Sequence, residues 1–243
     1  MIVLGFDTAT SATTVAVASR DRAAEARHDP AAGERPGHAT RLLALVAEAM
    51  QRAEVDWQEV DRIAVGVGPG SFTGLRIGVA TARALGHSRN IEVVGVSTLR
   101  ALAIGSGAGV PGGAEATSVA APPGAAPRRA ILAVLDARRG EAFAAAWVED
   151  VALFAPAALA PASLGDRARA LSPAPLAVGD GAIRFRMALE AAGAEVPADG
   201  DRRHRVSARH HCSLAVVAAT GSSEGVLPDY LRLPDAEIAR RAT

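Results

Sequence analysis

The segment Gly66-Val67-Gly68-Pro69-Gly70-Ser71-Phe72-Thr73-Gly74-Leu75-Arg76-Ile77-Gly78 constrains this chain more than any other. An apolar run breaks there into glycines and restarts with helical character. Ile63 to Val67 is short, β-branched and stopped by Gly and Pro, which predicts a buried strand feeding a turn. Gly68, Pro69 and Gly70 force that turn to be sharp: glycine reaches backbone angles closed to other residues, and proline lacks an amide donor. Ser71 or Thr73 is placed to cap a helix running to about Ser88. Such a unit leaves free amides at a helix start, as phosphate-binding loops do. A P-loop ends in Gly-Lys-Ser/Thr, however, and this chain contains no lysine. The G-x-G-x-x-G spacing is absent too. Pattern alone leaves a structural turn and a phosphate cradle at Gly68, Gly70 and Ser71 as equal readings.

Within the helix, Gly74, Gly78, Ala82 and Gly86 recur every fourth residue and form one small-residue stripe. Each interior glycine costs about 1 kcal/mol relative to alanine, so something packs very close to the stripe. That neighbour is either the helix's own sheet or a helix of another subunit. The second face, with Ile77, Thr81 and Leu85, suits a sheet and tilts the reading toward a subunit contact.

The rest of the chain is organised around this unit. Ile2–Asp7 and Thr13–Ser19 read as strands joined by the turn Thr8–Ala12, with a weaker third strand at Ala23–His28. Leu42, Leu45, Val46, Ala49, Met50 and Ala53 mark one face of a helix over His38 to Glu54. After the glycine unit come a strand at Glu92–Val96 and a helix capped by Ser97, so the order is β-β-β-α-β-α-β-α. Gly105 to Pro127 is dense in Gly, Pro, Ala and Ser without periodicity and predicts a linker or insertion. A new unit then opens with a strand at Ile131–Leu135, the turn Asp136 to Gly140 and a hairpin partner at Ala142–Val148. A strand at Leu176–Val178, the turn Gly179-Asp180-Gly181, a helix at Ile183–Ala192, a last helix at Ser207–Ala219 and an extended tail from Pro228 complete it. The implied division is 1–104, a linker 105–129, a second lobe 130–205, and a C-terminal helix and tail 206–243 packing back on the first lobe.

Composition excludes several function classes. The 243 residues carry 26 basic and 26 acidic side chains, so no net charge drives a whole-surface grip on nucleic acid or an acidic membrane. The single cysteine, Cys212, excludes an internal disulfide and a multi-cysteine metal site. No run reaches the roughly 20 apolar residues of a spanning helix, and Ile2 to Phe6 is too short for a signal peptide. The expectation is a soluble, cytoplasmic protein without membrane contact.

At Gly68 to Gly78 the chain resembles the TsaB (YeaZ) family, bacterial proteins of threonylcarbamoyladenosine biosynthesis on tRNA. Four further landmarks are similar in the same order: Asp7-Thr8, Asp136-Ala137-Arg138, Gly179-Asp180-Gly181 and Tyr230-Leu231-Arg232. The resemblance implies an α/β, actin-like ATPase fold of two related lobes. It also implies a subunit without chemistry of its own, joined to a TsaD-type transferase that modifies adenosine 37 of tRNAs reading codons beginning with A. The implied further partners are a TsaE-type ATPase, a second copy of this chain, and tRNA through the complex. Transferases of the TsaD type hold a metal with His-x-x-x-His, and the two places fall here at Thr98 and Leu102. Neither side chain ligates as imidazole does, so no catalytic or metal site is expected. No cofactor of its own is expected, and ATP or ADP would sit at a shared interface.

Asp7-Thr8-Ala9-Thr10 stands where actin-like ATPases place a phosphate turn, but Ala9 replaces its glycine, which favours a structural turn. His38 reads as a capping or surface histidine, and Cys212 as core. Arg202, Arg203, Arg205 and Arg209 with His210 and His211 form a basic cluster, read as a solvated loop in preference to a tRNA contact. The partner surface implied by the resemblance comprises Leu43, Ala47 and Met50 of the first helix with Gly74, Arg76, Gly78, Ala82 and Gly86 of the second. The competing class is a stand-alone actin-like ATPase or a peptidase.

Overall fold

The computed structural model describes residues 1–31, 33–108, 128–219 and 223–232. Most of the expected linker, 109–127, and the chain beyond Arg232 lie outside the described residues. The first half runs β1 (Val3–Asp7), β2 (Thr13–Ala18), β3 (Ala23–His28), α1 (His38–Ala53), β4 (Arg62–Gly68), α2 (Phe72–Arg89), β5 (Glu92–Ser97) and α3 (Thr98–Ile104). Its sheet is ordered β3-β2-β1-β4-β5, with β1, β2 and β3 antiparallel in turn and β4 and β5 parallel to β1. Central β1 is buried throughout, as a strand covered on both faces must be.

The second half runs β6 (Ile131–Arg138), β7 (Glu141–Val148), β8 (Val151–Leu159), α4 (Pro161–Arg169), β9 (Leu176–Val178), α5 (Asp180–Arg184), α6 (Arg186–Ala191) and α7 (Ala208–Val217). Its sheet is ordered β8-β7-β6-β9, again an antiparallel run of three followed by a parallel strand beside the first. Both halves thus use one topology, the two-lobed actin-like ATPase arrangement; Asp7 ends β1, and Asp136 lies two residues before the end of β6.

The layers explain the core. Leu42, Val46 and Ala49 of α1 and Val79 and Ala82 of α2 pack on one face of the first sheet with Phe6, Val15 and Val65. Its other face meets Ala208, Cys212 and Ala215 of α7. Helix α3 is shared: Ala101 faces the first sheet, whereas Leu99 and Leu102 pack with Ala133, Leu135 and Val178 of the second. Helices α4 and α6 cover the outer face of the second sheet through Leu164 and Leu189.

Some local expectations change. Strand β8 and helix α4 were not foreseen; β8 is an edge strand, where Pro156 is tolerated and alternation is weak. The single helix expected at Ile183–Ala192 is two short helices broken at Phe185. The first starts earlier, at Asp180. The second is fixed separately by Arg186, which donates to the carbonyls of Val196 and Pro197 and pairs with Asp199.

Candidate functional site

The turn between β4 and α2 packs against the turn between β1 and β2. Gly68 holds φ at +114°, a region that L side chains rarely adopt. Ser71 caps α2, its Oγ accepting from the Gly74 amide at 3.3 Å. The Ser71 amide donates to the Ala9 carbonyl at 2.7 Å, and the Thr8 hydroxyl donates to the Gly74 carbonyl at 2.7 Å. A Cβ at Gly70 would collide with the backbone of Ala9, and one at Gly74 with the Thr8 carbonyl. Gly70 and Gly74 therefore admit the chain's own backbone, which accounts for glycine at both, while Gly70 and Ser71 also border open space.

The interface reading of the stripe is corrected on the same ground. Gly74, Gly78, Ala82 and Gly86 are all buried within this chain. A Cβ at Gly78 would press on the Thr8 side chain, and one at Gly86 on Val93 of β5. Met50 is likewise buried in the core of the first lobe. Of the expected partner surface, Leu43, Ala47 and Arg76 are exposed, joined by Ala44 of α1 and by Ala80 and Ala84 of α2.

Asp7 is fully buried. Its Oδ2 lies 2.8 Å from His211 Nε2 on α7 and accepts from the Thr98 hydroxyl of α3 at 2.7 Å. Its Oδ1 accepts from the Ala9 amide at 2.7 Å. Gly66 leaves the space that this carboxylate fills. Burial opposes ionisation, but His211, the Ala9 amide and Thr98 together outweigh it and hold the carboxyl below its usual range. His211 thus belongs to the core and not to the basic cluster. In that cluster Arg203 pairs with Asp201 at 2.7 Å, His204 is buried between Gly179 and Pro197, and Arg202, Arg205 and Arg209 face solvent. His38 is also internal: its Nδ1 lies 2.8 Å from the Thr13 hydroxyl, and burial lowers its pKa against the partial counter-effect of Asp7. Cys212 is core as expected, its thiol pushed up to about 12 by burial. Of the two positions aligned with the transferase metal motif, Thr98 serves Asp7 and Leu102 packs in the second lobe's core.

The landmarks converge on one cleft of about 520 Å³ between the lobes. Ala9 to Ser11 and Gly70 to Thr73 line one wall, Asp136 to Arg139 and Asp180 the other, and Asp229 to Arg232 run along both. Asp7 and Thr8 are buried behind the first wall. Arg138, Arg139 and Gly140 turn the β6–β7 hairpin with successive positive φ values. The Asp136 carboxylate pairs with Arg184 at 2.8 Å, while its amide donates to Asp180 at 3.0 Å. Asp180 opens to the concave surface yet is crowded by protein on its other sides. That crowding raises its pKa, and the Asp136 carboxylate adds to the effect. These turns are legible in the sequence but their meeting is not, and Ser11, Pro36 and Phe143 carry no signal of the cleft they line.

The model of the family described as TsaD, tRNA N6-adenosine threonylcarbamoyltransferase, matches residues 34–158. The Escherichia coli K12 tRNA threonylcarbamoyladenosine biosynthesis protein TsaB is 33% identical over 150 residues, covering 62% of this chain and 56% of that one. The structure of YeaZ from Pseudomonas aeruginosa superposes with a TM-score of 0.71 at 25% identity, over 94% of this chain and 100% of that one. The chain belongs to the TsaB/YeaZ family. An uncharacterized protein of Mycobacterium tuberculosis H37Rv is 42% identical over 106 residues, 41% of this chain and 47% of that one. The chain thus spans about half the length of the curated TsaB/YeaZ relatives and other proteins it matches. Among the described residues, no helix is long and apolar enough to cross a membrane.

Proposed function

We propose that this chain is the non-catalytic, activating subunit of an assembly that forms N6-threonylcarbamoyladenosine at position 37 of tRNAs reading codons beginning with A. It acts in the cytoplasm by pairing with a TsaD-type transferase. The observation that carries this reading is the turn at Asp7 to Thr10: Ala9 replaces the glycine of an actin-like phosphate turn, and its carbonyl takes the Ser71 amide, a donor that a phosphate would need. What this lobe offers outward is a helical face. Helices α1 and α2 touch each other on the outer layer. They present Leu43, Ala44, Ala47, Ala80 and Ala84 with Arg76, and Leu43 is 58% exposed. Small apolar residues around one larger anchor suit a close helix-on-helix crossing. In the partner's absence the same face pairs two copies. A TsaE-type ATPase joins the assembly, ATP or ADP sits at a shared junction, and tRNA is met only through the complex.

Reconstitution tests this. With transferase, adenylate-forming enzyme and tRNA present, modification is expected to depend on this chain, which alone modifies nothing. Leu43→Arg combined with Ala47→Arg should cut co-purification with the transferase by roughly tenfold or more. Modified tRNA formed by this chain alone, or full activity on its omission, would overturn the reading.

A further inference from the structure

Residues 226–232 have neither helix nor strand, yet they are fixed to both lobes. On the first lobe, Val226 packs on the core and the Asp229 amide donates to the Val67 carbonyl at 2.7 Å. The Tyr230 ring lies 4.9 Å from that of Phe72, and its hydroxyl accepts from Arg76 Nε at 3.3 Å. On the second lobe, Leu231 packs on the cluster containing Leu135, Ala137 and Phe143, and Arg232 pairs with Glu141 at 3.0 Å. Tyr230 lines the inter-lobe cleft on one side and, with Pro228, a groove along Arg76, Val79 and Arg83 of α2 on the other.

We propose that this segment is a displaceable clasp: bound, it closes the two lobes over the cleft; released, it opens the cleft and at the same time alters the α2 face beside Tyr230. The attachments are the kind that let go locally. Beside the partly buried Val226 and Leu231, they include a backbone hydrogen bond, a ring contact, a weak hydroxyl contact and a partly exposed ion pair, whereas the strands beneath are held by full ladders. Arg76 is a shared element. Its guanidinium lies 4.0 Å over the Phe72 ring and also meets Tyr230, so anything that seats on Arg76 competes with the clasp. Cleft access and the state of the α2 face are then coupled, each biasing the other by the same free energy. The clasp is a property of the isolated chain and stands whether or not the transferase is its partner.

Thiol labelling of the full chain tests it. Ala137 is buried, lines the cleft and belongs to the cluster under Leu231, so Ala137→Cys reports clasp release. Native Cys212, buried in the first lobe, reports general unfolding. Adding Tyr230→Ala and Arg232→Ala is expected to raise labelling at position 137 by roughly tenfold while Cys212 stays protected. Arg76→Gln alone should raise it by a smaller factor. An unchanged rate at 137 overturns the proposal. So does a parallel rise at both thiols, which would make the segment a general stabiliser and not a local clasp.

Discussion

Asp7 shows how a residue type that suggests chemistry can be consumed by architecture. Its carboxylate holds β1, α3 and α7 together through Ala9, Thr98 and His211, and its depressed pKa sets an acid limit. As pH falls below 3.8, the unfolded chain takes up the proton first. Stability from this group is therefore complete above that value and lost as pH drops through the lower folded one. Denaturation midpoints followed from pH 5 downward should fall, and the fall should be shallower in Asp7→Asn, which is less stable at neutral pH. Glycine positions give a sharper test. Gly78→Leu places a side chain against Thr8 and Val65 and should destabilise the monomer by more than about 3 kcal/mol, read by urea denaturation. A stable, folded Gly78→Leu would mean that the stripe does not pack internally. The sequence made the sharp turn legible, because Gly-Pro-Gly has few alternatives. It did not reveal why the first half of the helix needs glycine, since the atoms that press on Gly74 and Gly78 belong to Thr8, 66 residues away from Gly74.

At the scale of elements, apolar patterning together with turn and cap residues located the strands and α-helices of the first lobe, β3 only weakly, and missed the short 3-10 helix Trp57–Glu59. It failed where alanine replaces larger apolar residues: β8 reads Val-Ala-Leu-Phe-Ala-Pro-Ala-Ala-Leu, with no alternation to separate a strand from a loop. Helix α1 shows the use of a well-separated pattern. Leu42, Leu45, Val46 and Met50 face inward while Leu43 and Ala47 face out. Leu43→Arg should accordingly change stability by no more than about 0.5 kcal/mol, whereas Met50→Arg should prevent normal folding. Thermal melts and circular dichroism of the two variants make that comparison. Helix α7 depends on a contact invisible in its own sequence. Arg62 of β4 donates to the Ala215 and Ala218 carbonyls at its C-terminal end and forms an ion pair with Glu92 at 2.7 Å. Arg62→Met leaves those carbonyls unsatisfied and should cost about 1–3 kcal/mol, with the loss of amide protection concentrated in α7.

For the whole molecule, the decisive arrangement is the middle layer. Helix α3 sends Ala101 into the first sheet's core and Leu99 and Leu102 into the second's, while Thr98 reaches Asp7. One seven-residue helix therefore serves both lobes, and neither sheet has a complete core without it. The paired topology was legible in outline, from two strands ending in Asp followed by hairpins. The cleft was not, because its lining comes from turns scattered over the full length of the chain and meets only when the lobes face each other. Shared packing of this kind predicts one cooperative unfolding transition for both lobes, with amides of β1 and β6 exchanging at a common free energy. Leu102→Ala removes a buried side chain from the second lobe's side of the helix alone and should cost about 2–5 kcal/mol. If the helix is what couples the lobes, this variant should also split the exchange behaviour. The β6 and β7 amides should lose protection through openings that leave β1 and β4 closed. Equal loss in both sheets would place the coupling elsewhere, in α7 or in the segment that crosses the cleft.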